Sequence, residues 1–205
     1  VTGDPVFMAR ADAIHTLLEQ RFVSAAGALR EHFDESWQPA QGAAGEIVEP
    51  GHHFEWVWLL HQYARLAARP ISPLADQLFV FACKFGLDAR GMPIEQIDTH
   101  GVQQKPSIKL WAVTEQLKAH VVRAEASGVE HDPRIEEIVN QLTRQFLIHE
   151  PAPLWFEELR APSWAEKARA ELRRISGRRP PEEELTESER RVAELSTLAT
   201  HVVQA

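Results

Sequence analysis

"GDPVFMARADAIHTLLEQRF", residues 3–22, begins with an Asp-Pro pair and then repeats apolar side chains at helical spacing. The Asp4 carboxylate is placed to accept an N–H of a first helical turn. Pro5, with its fixed φ and no N–H, suits the first helical position. Phe7, Met8, Ala11, Ile14, Leu17, Leu18 and Phe22 then recur with a period near 3.6, which predicts a helix burying one stripe. "HDPRIEEIVNQLTRQF", residues 131–146, does the same from Pro133, with Ile135, Ile138, Val139, Leu142 and Phe146 on its stripe, and is about one turn shorter. Each is followed by a segment carrying a Leu, an aromatic and acids, "GALREHF" at 27–33 and "PLWFEEL" at 153–159. Helical hairpins repeated at this size predict a stacked or toroidal α-architecture.

Between these two units the spacing predicts helices at about 52–68, 73–86 and 108–126, joined by segments containing Gly, Pro or Asp. Strand-like alternation is nearly absent, so the class is all-α. The chain has 205 residues, 44% apolar and 25% charged, which suits one ordinary domain and excludes two large ones. A net charge of −8 argues against broad attraction to nucleic acid, with only "RRISGRR" at 173–179 dissenting. The single cysteine, Cys83, excludes an internal disulfide framework and reads as a small buried hydrophobe in a reducing compartment. No 18-residue apolar stretch exists, and "VTGDPVFMAR" lacks the flank and core of a secretion signal, so a cytoplasmic address without membrane insertion is expected.

After Leu159 the composition shifts to Arg, Glu and Ala, with capping-box patterns at Ser163/Glu166 and Thr186/Glu189. Two short helices around a basic Gly/Pro linker are expected there, giving a helical body at 1–159 and an appended tail at 160–205.

The chemistry is concentrated in "EPGHHFEWVWLL", residues 49–60. With Pro50-Gly51 taken as a break and a helix starting at about His52, His52, Glu55 and Trp56 share one face with Leu59 and Tyr63. A histidine in a first turn feels the positive end of the helix dipole, which predicts a neutral ring able to accept a proton. Glu55 would orient that ring or hold a substrate hydroxyl, and the Trp56 indole offers a stacking face for a sugar. His53 and His61 read as surface or supporting groups. His52 and Glu55 would supply two metal ligands, but no HExxH pair and no third ligand stand at a recognisable spacing, so no metal is predicted. A second cluster lies in "KLWAVTEQLKAHV", residues 109–121, where Trp111, Glu115 and Lys118 share a helical face. It reads either as a carboxylate and indole gripping hydroxyls or as an exposed Glu–Lys pair on an ordinary amphipathic helix.

"GALREHFDESWQPA", then "GEIVEPGHHFEWVWLLHQYARLA", then "LWAVTEQLKAH" resemble, in order and spacing, the C-terminal half of the N-acylglucosamine 2-epimerase and mannose isomerase family. The resemblance covers about residues 1–159. It implies part of an (α/α)6 toroid and cofactor-free proton transfer at C2 of a sugar through an enediol-type intermediate. On the matching positions it implies His52 as an acid/base histidine, Glu55 as a substrate-orienting carboxylate, and Trp111 with Glu115 as part of a sugar pocket. Where the family usually reads Trp-Pro-Gln-x-Glu, this chain has Trp111-Ala112-Val113-Thr114-Glu115. The family's second acid/base histidine belongs beyond "PLWFEEL", and none of His120, His131, His149 or His201 sits in a matching motif. A toroid without its N-terminal half is expected to expose apolar helix faces and to self-associate through that edge.

The tail resembles something else. "WAEKARAELRRISGRRPPEEELTESERRVAELS", residues 164–196, is similar to the connector and first helix of a LuxR-type helix-turn-helix domain, without the recognition helix that would follow. Arg173, Arg174, Arg178 and Arg179 therefore read as a solvated linker, and DNA binding is not expected. The alternatives to a sugar 2-epimerase or aldose–ketose isomerase are a fragment of such a regulator or a helical binding scaffold.

Overall fold

The computed structural model describes residues 4–148 and 154–159. The tail at 160–205, with its LuxR-like phrase and its capping boxes, lies outside the described residues.

Both Asp-Pro pairs start helices: α1, Pro5–Leu17, and α5, Pro133–Gln141. The Asp4 carboxylate accepts the Val6 N–H at 2.9 Å, and Asp132 accepts that of Arg134 at 2.9 Å, each satisfying a donor with no intrahelical partner. At 13 and 9 residues the two helices differ by about one turn, as their sequences predict. Each then widens into a five-residue π-helical turn of the form Leu-x-x-x-Phe, at Leu18–Phe22 and Leu142–Phe146. Beyond it the chain folds back, so that the Phe22 carbonyl accepts the Arg30 N–H at 3.1 Å and the Phe146 carbonyl accepts that of Phe156 at 2.8 Å.

The same fold-back, without a π-helical turn, follows α3, Leu74–Phe85, where the Gly86 carbonyl accepts the Ile94 N–H at 2.8 Å. The residue after the closing amide is a glutamate in all three fold-backs: Glu31, Glu95 and Glu157. The Glu31 and Glu95 amides donate onward to the carbonyls of Ile47 and Ser107, each three residues before a long helix. Those helices are α2, Pro50–Ala67, and α4, Leu110–Ser127. They pack side by side with level N-terminal ends: Gly51 lies against Trp111 and Ala112, and Lys118 sits over the Trp58 ring at 4.4 Å. α3 packs on α2, and α5 on α4, so paired helices alternate between two layers.

The strands are two or three residues long, too short to show alternation in sequence. β1, Ile47–Val48, pairs antiparallel with β2, Gln96–Asp98, which pairs with β3, Gln103–Lys105. β4, Ile108–Lys109, pairs with β7, Glu158–Leu159, and β5, Leu147–Ile148, with β6, Leu154–Trp155. β1 and β4 lead directly into α2 and α4 and fix where those helices begin.

Leu18, Phe54, Val57, Leu60, Leu78 and Ala119 form the core where α2 meets α3, α4 and the end of α1. Met92, Ile108, Val113, Ile138, Phe146 and Leu159 form a second core under α4 and α5. Each such Leu, Ile or Phe contributes about 1.5–3 kcal/mol of burial. Cys83 is half-buried against the first core, and burial pushes its thiol pKa up, which fits the small-hydrophobe reading.

The stripe expected on α1 is not buried: no residue of α1 is buried, and Phe7 and Ile14 are 56% and 51% exposed. Burial begins only at Leu18, because α1 touches α2 chiefly through Asp12, which accepts from the Tyr63 hydroxyl, and His15, which stacks on the Tyr63 ring. Among the described residues no helix is long and apolar enough to cross a membrane.

Candidate active site

α2 begins at Pro50, not at His52. The Pro-Gly pair expected to break the chain instead forms its first turn: Pro50 takes the position where its missing N–H costs nothing, and Gly51 allows α4 to come close. A Cβ on Gly51 would stand 2.6 Å from the Trp111 ring and 2.8 Å from the Ala112 Cβ. Gly51→Ala is therefore expected to destabilise the fold by about 1–3 kcal/mol through overpacking, read as a lower denaturant midpoint with unchanged slope.

This close approach sets the His52 ring beside the Trp111 indole, with centroids 4.9 Å apart and planes at 35°. Nδ1 of His52 lies 2.9 Å from Glu31 Oε2, and the other Glu31 oxygen accepts the Glu49 N–H at 3.1 Å. Glu49 itself approaches Nδ1 to 3.9 Å and is held by Gln96, whose side-chain amide donates to it at 3.0 Å. Nε2 has no hydrogen-bond partner among the described residues, and the His52 side chain remains 34% exposed. One edge of the ring is tied to the protein, and the other is open.

The helix dipole alone would lower the His52 pKa, and these carboxylates reverse that direction. The hydrogen bond to Glu31 raises the His52 pKa above its ordinary 6.5, burial opposes it, and the charges of Glu31, Glu49 and Glu55 add to the rise. A dipole of about half a unit charge is outweighed by three nearby carboxylates.

His53, one residue on, faces the interior. It is 0% exposed, stacks on Phe81 at 5.1 Å, and accepts the Leu29 N–H on Nε2 at 3.0 Å. It thus fastens α2 to the segment that carries Glu31. Burial lowers its pKa to about 4.

The five residues singled out from sequence are only partly brought together. His52 and Trp111 touch. Glu55 is half-buried, acts on His52 through its charge, and has no hydrogen-bond or ion-pair partner among the described residues. Trp56 packs against the first core. Glu115 pairs with Lys118 at 2.6 Å, with its side chain 14% exposed. The Glu–Lys pair exists, with its carboxylate largely covered and the Lys118 ammonium over the Trp58 ring. A cavity of about 420 Å3 lies elsewhere, on the α5 side, lined by Glu136, Asn140, Gln141 and Arg144 among others, and contains none of the five. Among the described residues no group of three His, Cys, Asp or Glu side chains is placed to hold a metal ion. Glu31 and Glu49, the closest partners of His52, were not recognised from the sequence.

Residues 1–171 match the family described as N-acylglucosamine 2-epimerase (GlcNAc 2-epimerase). The chain belongs to the N-acylglucosamine 2-epimerase family. Its match runs past residue 159, where composition had suggested that the body ends. A mannose-6-phosphate isomerase of Rhizobium meliloti is 41% identical over 115 residues, 54% of this chain and 30% of that protein. A D-mannose isomerase of Pseudomonas cannabina pv. alisalensis is 36% identical over 129 residues, 53% of this chain and 30% of its own length. This member of the family thus aligns with less than a third of each of these relatives. A D-mannose isomerase crystal structure superposes over 78% of this chain and 42% of its own, with TM-score 0.67 and 22% identity. A cellobiose 2-epimerase from Bacillus thermoamylovorans does so over 78% and 41%, with TM-score 0.61 and 15% identity. These are (α/α)6 toroids, and the alternating helix pairs of this chain form part of one.

Proposed function

We propose that this chain carries one acid/base histidine of a sugar 2-epimerase or aldose–ketose isomerase, and that His52 is that residue. One observation carries the reading: the ring is anchored through Nδ1 on a carboxylate while Nε2, beside an indole face, has no partner among the described residues. In the open-chain sugar the hydrogen on C2 is acidified by the C1 carbonyl. Nε2 takes that proton, the C–H electrons form the C1–C2 double bond, and the carbonyl oxygen gains a proton to give an enediol. Return of a proton to the other face of C2, with loss of the O1 proton, restores the C1 carbonyl and gives the epimer, and return to C1, with loss of the O2 proton, gives the ketose.

A base that must later return the proton is most effective with a pKa near working pH, and carboxylates around a half-buried imidazole tune it in that direction. Trp111 offers the sugar an apolar face, Glu55 a carboxylate for a hydroxyl, and Glu115 a second carboxylate one turn along α4. The second acid/base group belongs to the part of the family fold that lies beyond "PLWFEEL". The names of the relatives favour mannose-type substrates.

The reading is tested by incubating the chain with mannose and related aldoses in heavy water without added metal, and following C2 by NMR. Deuterium at C2 is the expected result. Its absence with every aldose would leave a binding role only.

A further inference from the structure

Glu31 stands 21 residues before His52 and reaches it from a different part of the chain. We infer that Glu31 is a positioning residue for His52, clamping the ring through Nδ1 so that Nε2 is presented to the open side. The inference rests on His52 being the proton-transfer group.

Both oxygens of Glu31 are engaged, one on the His52 ring at 2.9 Å and one on the Glu49 N–H at 3.1 Å, so the carboxylate cannot turn away without losing both bonds. Its backbone is fixed as well. The Glu31 N–H donates to the Ile47 carbonyl at 3.1 Å, the Arg30 guanidinium donates to the Gly45 carbonyl at 3.0 Å, and the Leu29 N–H is held by buried His53. Four connections thus pin one carboxylate against one ring edge, and its side chain is only 15% exposed. An ionised carboxylate only accepts hydrogen bonds, so the neutral imidazole facing it must carry its proton on Nδ1. The lone pair of a base is then on Nε2. The other charged groups facing this ring are Glu49 at the cap of α2 and Glu55 one turn on, while α4 contributes the uncharged Trp111 indole.

The experiment is imidazole nitrogen NMR on the 205-residue chain, comparing wild type with Glu31→Gln and Glu49→Gln. The glutamine at 31 keeps the length and a hydrogen-bonding oxygen, so the fold is expected to persist with an unchanged melt. Wild type is expected to hold neutral His52 in the Nδ1–H form. Glu31→Gln is expected to mix the two tautomers and lower the pH at which the ring titrates. Turnover of an aldose should then fall on the order of 10²-fold in kcat with little change in KM, the effect of a misplaced group rather than of lost binding. An unchanged tautomer and titration in Glu31→Gln overturns the inference, and so does an equal effect from Glu49→Gln. If the tautomers respond as expected but wild type exchanges no deuterium into any aldose, the function reading fails while the clamp on the ring stands.

Discussion

Replacing His52 with alanine is expected to lower kcat/KM for deuterium exchange at C2 by roughly 10²- to 10⁴-fold, the range supplied by a positioned acid/base group. The fold should survive, because the ring is partly exposed and its neighbours keep each other: Glu31 still accepts from the Glu49 N–H when the imidazole is gone. A melting curve close to wild type alongside lost exchange separates chemistry from folding. The pH profile gives a second reading. Since the Glu31 hydrogen bond and the surrounding carboxylates hold the His52 pKa above 6.5, the acid limb of kcat/KM should lie above 6.5 as well, with activity falling as the pH drops through it and Nε2 becomes protonated. Residual exchange in the alanine variant should not show that limb. A variant that turns over at the wild-type rate removes His52 from the mechanism.

What could be read in advance follows from the range over which each interaction acts. Helix starts announced by Asp4-Pro5 and Asp132-Pro133 depend on neighbours two residues away, so local sequence suffices. Leu18, Phe22, Leu142 and Phe146 read as a continuing helical stripe, which does not anticipate the widening to π-helical turns at Leu18–Phe22 and Leu142–Phe146. The fold-back after α3 was not legible because it closes through backbone bonds between Gly86 and Ile94, and such bonds impose little on side-chain identity. The start of α2 was misplaced by two residues because Gly51 was judged as a local breaker. Its actual requirement is the Trp111 ring of another helix.

The site divides along the same line. His52 and Glu55 share a face by helical spacing, and that arithmetic holds. Spacing does not say what a face packs on: Trp56, one position from Glu55, is turned to the core, while Trp111 from α4 supplies the indole beside the ring. Glu31 comes from a loop in "GALREHF", and no periodicity connects a loop carboxylate to a helix two segments later. The direction of the His52 pKa shift was misjudged for that reason, since the group that contributes most to it was invisible in the local pattern.

His53 carries the largest expected effect on stability. Its Nε2 accepts the Leu29 N–H, so a proton there would set two donors against each other inside the core. The unfolded chain takes up that proton below about 6.5, whereas the folded chain resists it down to about 4, so acid favours unfolding across this window. The gap corresponds to about 3 kcal/mol of stability present at neutral pH and lost as the pH falls from 6.5 towards 4. Buried His61 and half-buried His120, whose pKa values burial also lowers, push in the same direction. His52 opposes them, because its raised pKa contributes stability that is complete below 6.5 and disappears as the pH rises through its folded value. Denaturant titrations at a series of pH values should therefore show midpoints falling with acid. His53→Gln should flatten that dependence, since an amide oxygen near the Nε2 position still accepts from Leu29 and does not titrate. His53→Ala should cost about 3–5 kcal/mol at neutral pH, combining a cavity with an unsatisfied buried amide. A His53→Gln variant with the full acid sensitivity of wild type would place the proton linkage at another group.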